Sequence, residues 1–139
     1  MLKTVEKVLL LQDLDLFSLV STDQLAQLAL IAEDKEVPPG VPLFSRGDEA
    51  SKLYLVVQGK VRSEDGNGKS WLVERAGLDF WSVFSESRHA VSARTVQTST
   101  VLVVRYDDFV DLLTGEPEFC LALIRYLAGL GRERVEAPA

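Results

Sequence analysis

The stretch from Gly40 to Val61, GVPLFSRGDEASKLYLVVQGKV, constrains this chain more than any other. Two runs suited to strands, Val41 to Phe44 and Leu53 to Val57, are set between Gly40, the Gly47-Asp48 pair and Gly59. Glycine serves where the backbone must take a positive φ or approach another segment closely, and Gly-Asp marks a turn. Short strands at close spacing, punctuated in this way, predict a sandwich or barrel.

The flanks read as helices. Ser21 or Thr22 can cap a helix over STDQLAQLALIAED, with Gln24 placed as in a capping box and Leu25, Leu28, Ala29 and Ala32 on one face. An earlier turn or two is expected over Thr4 to Leu11. Pro38-Pro39-Gly40 opens the β region, with further strands at Glu36-Val37, Lys60 to Ser63, Ser70 to Arg75, Val91 to Gln97 and Thr100 to Arg105. Asp65-Gly66-Asn67-Gly68 is a hairpin turn. Arg94 and Arg105 alternate with apolar residues, as on a solvated strand face. Asp107 to Leu113 and a second segment from Glu116-Pro117 through Leu130 are expected helices, the second amphipathic through Phe119, Leu123, Ile124 and Leu127, with a frayed tail from Glu133. The chain of 139 residues is read as one domain. It comprises a helical lead-in over 4–34, a β region over 35–105 and C-terminal helices over 107–132.

Composition removes several functions. A net charge of −6 argues against DNA as a partner, because such binding rests on phosphate neutralisation. No apolar run approaches the about 20 residues of a membrane span, so no direct membrane insertion is expected and the location is read as cytoplasmic. One cysteine, Cys120, allows no internal disulfide. One histidine with one cysteine makes no metal set. No nucleophile–base arrangement, Walker loop or supported carboxylate pair is present, so the chain is not expected to be an enzyme.

Leu16-Phe17, Gly40 with Leu43-Phe44, Gly47-Asp48, Leu53 to Val56, Gly59 with Val61, Gly77 and Asp107-Asp108-Phe109 occur in an order and spacing that resemble the cyclic-nucleotide-binding domain family, over Val5 to Arg134. The resemblance implies a mainly β fold with flanking helices, a double-stranded β-helix or jelly-roll β-roll. It also implies a phosphate-binding cassette: a short helix opened by Phe-Gly-Glu, then Arg-Ser/Thr-Ala at the next strand. The glycine lets backbone N–H groups approach the phosphate, the glutamate holds the ribose hydroxyl, and the arginine supplies a forked, charged donor.

The corresponding stretch here is Asp79 to Thr95, DFWSVFSESRHAVSART. Phe80 matches the aromatic position, Trp81 stands in place of glycine and Ser82 in place of glutamate. His89 falls at the arginine position and Ala90 follows it, with Arg88 one residue away. Asp79, Glu86 and Glu74 are nearby acids outside the glutamate position. The candidate ligand-binding residues are therefore Phe80, Trp81, Ser82, Val83, Arg88, His89 and Ala90, with Trp81 expected to plug the pocket or to offer a stacking surface.

The reading that follows is a regulatory or sensor domain that does not bind cAMP or cGMP in the family's usual way. The alternatives are a working sensor with a divergent pocket and a ligand-free interaction or dimerisation module. A small nucleotide is the one ligand to test, and no other cofactor is expected. An effector domain or separate protein would receive the signal. The apolar stripe of the last helix is expected either to cover the β-roll or to pair two copies as a homodimer.

Overall fold

The computed structural model describes residues 1–85 and 87–136, with side chains through Gly131. Glu86 and the end of the tail, both named above, lie outside the described residues. Helix α1 (Thr4–Gln12), a 3₁₀ turn (Asp15–Phe17) and helix α2 (Thr22–Ile31) precede the first strand. Ser21 caps α2: its Oγ accepts from the Gln24 amide at 3.2 Å, while the Gln24 side chain accepts from the Ser21 amide.

Helix α2 ends at Ile31, earlier than its apolar face suggests, and β1 (Ala32–Val37) starts without a linker. Ala32 to Val37 lie in register against Val104 to Ser99 of β8 (Ser99–Arg105), so the ladder takes residues that local propensity would leave helical. The other strands are β2 (Pro42–Phe44), β3 (Lys52–Gln58), β4 (Val61–Glu64), β5 (Ser70–Val73), β6 (Ala76–Leu78) and β7 (Ser92–Thr95). Ala76 and Gly77, beyond the strand expected over Ser70 to Arg75, begin β6 and pair with β3. The strands form two antiparallel sheets, β1-β8-β3-β6 and β2-β7-β4-β5. This is the expected β-roll, with its helices on the first sheet.

Two glycines in the opening stretch serve the geometry expected of them. Gly40 has φ 79°, and its amide donates to the Thr95 carbonyl at 2.8 Å. Gly59 has φ 92°, and a Cβ there would meet the Ser99 Cα at 2.6 Å. Thr95 ties the Pro38-Pro39-Gly40 corner to β7, its Oγ1 donating to the Pro38 carbonyl at 2.6 Å.

Helix α4 (Tyr106–Gly115) follows β8 directly and α5 (Pro117–Glu136) follows one residue later. Among the described residues, the buried stripe of α5 joins the core that lies between the helices and the first sheet. Phe119, Ala122 and Leu123 are buried, and the helix packs on α4 and on the 3₁₀ turn. Phe119 meets Phe17 and Phe109 edge to face, each at 6.1 Å between ring centres. Leu121, Ile124 and Leu130 remain exposed. Because Phe119 is fully buried at the join of three elements, Phe119→Ala is expected to cost about 3–5 kcal/mol, read as a lower midpoint in urea denaturation.

Candidate functional site

The cassette lies between β6 and β7 and contains helix α3 (Phe80–Ser85). It is bracketed by two non-glycine residues with left-handed backbone, Asp79 at φ 48° and Ser87 at φ 61°. The segment closes on itself, the Ser87 amide donating to the Ser82 carbonyl at 3.0 Å and the Ser87 carbonyl accepting from Ala50 at 2.9 Å.

The centre of the cassette is Asp79. One carboxylate oxygen accepts from the Ser82 hydroxyl at 2.9 Å. The other accepts from the Ala90 amide at 2.8 Å and lies 3.0 Å from His89 Nδ1. A carboxylate only accepts, so Nδ1 is the protonated nitrogen of that ring. The imidazole is 3% exposed and stacks on Phe44 at 3.6 Å between centres and 11° between planes. Tyr54 tilts against Phe44 on the same side of the roll. Burial pushes the Tyr54 phenol above its ordinary 10.0, and Asp48 adds to the rise.

The predicted site residues therefore have different positions. Ser82, His89 and Ala90 converge on one carboxylate, and buried Val83 packs beneath α3 into the main core. Phe80 is part-buried against Phe84 and Phe109. Trp81 is 61% exposed on α3 and plugs nothing. Arg88 turns away from the cassette: its Nη1 donates to the Gly47 carbonyl at 2.9 Å, and its backbone bridges Glu49. Sequence reasoning named Asp79 only as a nearby acid. The signal that could have found its role is an acid directly before the cassette helix with a serine three residues on, which its carboxylate reaches.

Further into the roll, Ser63 of β4 is fully buried, and its Oγ has no partner among the described residues. Ser63 stands opposite Trp71 on the edge strand β5, where the indole is 40% exposed.

The profile described as cyclic nucleotide-binding domain matches residues 34–116. The chain belongs to that family. It is a regulatory domain of the cyclic nucleotide-binding type. It is 28% identical over 105 residues to the fumarate and nitrate reduction regulatory protein of Yersinia pestis, covering 72% of this chain and 42% of that protein. The N-terminal domain of a transcriptional regulator from Streptomyces coelicolor superposes with a TM-score of 0.79 at 23% identity, over 94% of this chain and 97% of that one. The catabolite activator protein of Thermus thermophilus superposes with a TM-score of 0.71 at 25% identity, over 86% and 59%.

These relatives correct one expectation. DNA was excluded as a partner from the charge of −6, yet a transcriptional regulator acts at DNA. The charge argument covers this chain alone, which spans 42% of the Yersinia protein, and so cannot speak for a whole regulator. Among the described residues no helix is long and apolar enough to cross a membrane.

Replacing Asp79 with Asn removes the charge that holds three donors and is expected to cost about 1.5–3 kcal/mol in urea denaturation. Ser82→Ala, which loses one neutral bond, is expected to cost about 1 kcal/mol. The raised phenol of Tyr54 means that the folded chain holds that proton longer than the unfolded one. Stability should therefore fall as pH rises from the unfolded value near 10 through the folded value, and Tyr54→Phe should remove that part of the alkaline loss.

Proposed function

We propose that this chain is the regulatory domain of a transcription regulator, with its cassette closed against the phosphate of cyclic nucleotides. The observation that carries the reading is the Asp79 carboxylate, which engages the Ser82 hydroxyl, the Ala90 amide and the His89 ring. A phosphate arriving there would meet donors already in use and a fixed negative charge, and opposed charges of one sign repel strongly where water is scarce. Arg88, one residue from the family's arginine position, is held by the Gly47 carbonyl. The role is regulatory rather than catalytic.

Calorimetric titration of the chain with cAMP, cGMP and cyclic dinucleotides tests this. No saturable heat is expected from any of them. Micromolar saturation that Arg88→Ala weakens would overturn the closed cassette.

A second reading, a sensor with a divergent pocket, is favoured by the buried Ser63 hydroxyl without a partner beside Trp71. An unmet buried hydroxyl costs free energy that a hydrogen-bonding ligand would recover. In a Trp81→Phe background the fluorescence reports Trp71 alone. A saturable change on adding a planar heteroaromatic, lost in Ser63→Ala, would favour the sensor; an unchanged spectrum keeps the first reading.

A further inference from the structure

The outer face of the β2-β7-β4-β5 sheet carries an arrangement that the roll does not need. Arg62 of β4 and Arg94 of β7 stand directly opposite each other in the antiparallel register, and both are exposed. Like charges at opposed positions destabilise a strand pair. Ion pairs among the described residues join Lys7 to Asp34, Lys60 to Glu74 and His89 to Asp79, and neither arginine takes part in one. Arg94 donates one N–H to the Gly40 carbonyl at 2.6 Å, which anchors it over β2. The Arg62 guanidinium has no partner among the described residues.

Both arginines line one groove of about 210 Å³ with Ser45, Ser92, Glu64 and Phe44. The Ser92 oxygen accepts from the Arg46 amide at 2.8 Å, which fixes the hydroxyl at the rim and leaves its proton to donate. With two arginines and one glutamate, the residues lining the groove carry a net positive charge, in a chain whose net charge is −6.

The geometry points to a binding site for a phosphate group on this outer face, occupied by a small phosphorylated molecule. The groove is smaller than the ~300–1,000 Å³ that encloses a whole drug-sized ligand, so it takes one group and leaves the rest in solvent. A guanidinium fork matches phosphate oxygens two at a time. A bound dianion would also relieve the repulsion between the two strands. The charged groups of this site are not those of the cassette, which it adjoins through Phe44, the ring that stacks on His89.

Nitrogen-15 spectra of the chain, titrated with pyrophosphate at fixed ionic strength, test the site. The side-chain Nε–H signals of Arg62 and Arg94 are expected to shift together and saturate, while the His89 and Ala90 signals stay in place. Arg62→Gln should weaken binding by about tenfold or more, and Arg62→Lys, which keeps charge without the fork, should fall between. Without the anion, Arg62→Gln should melt no lower than the parent chain, because a repulsion has gone. Shifts that never saturate, an equal response in Arg62→Gln, or a lower melting temperature of that variant without anion each overturn the proposal. Saturation by a DNA duplex but not by pyrophosphate would assign the arginines to a nucleic-acid backbone and overturn it equally.

Discussion

Strand β8 is the element on which the rest is assembled. It is buried on both faces, because it pairs with β1 and β3 at its edges and has cores above and below. Leu102 and Val104 point into the core shared with the helices, while Val101 and Val103 join Val37 in a cluster on the other face. An uninterrupted apolar run is what a strand in such a position requires. Its β-branched residues suit that buried, pleated setting. The helical layer and the roll interior are therefore held by one seven-residue strand. Its last residue passes straight into α4, whose first amide, that of Tyr106, donates to the Ser51 carbonyl at 2.9 Å.

The cassette solves a different problem. A short helix entered through a left-handed residue is tied here by that residue's own carboxylate, which accepts from the Ser82 hydroxyl and the Ala90 amide. Asp79 bears the backbone cost of φ 48°, which aspartate tolerates better than most residues. Its side chain links the helix start to the strand that follows. His89 then fills the space beside Phe44 as an apolar ring would, with its polar edge turned to the carboxylate. The site is compact because its charge is internal.

The fold was largely legible because its signals are local. Gly40, Gly59 and the Ser21–Gln24 box do what those residues do wherever they occur. The misplaced elements are those where distant pairing overrode local preference: Ala32 to Asp34 drawn into β1, and Ala76 to Leu78 drawn into β6. The sequence placed Ser82, His89 and Ala90 in one cassette, where they meet the Asp79 carboxylate, but it carried nothing of that wiring. Nothing in the spacing says that Trp81 faces solvent or that Arg88 turns toward Gly47, because both are set by tertiary contacts. The partnerless hydroxyl of Ser63 was equally invisible, since a serine on an alternating strand reads as a surface residue until its sheet is covered.

The direct passage from α2 into β1 has a mechanical consequence. With no loop between them, and with Lys7 Nζ donating to the Ala32 carbonyl at 2.6 Å beside the junction, the N-terminal helices cannot swing without dragging the first sheet along. At the other end α4 and α5 meet at Glu116 alone, whose φ of −128° and ψ of 78° belong to neither helix. The chain therefore enters the roll and leaves it for α4 without a loop, and the one break in this helical path falls at Glu116, which hydrogen bonds to both neighbouring helices.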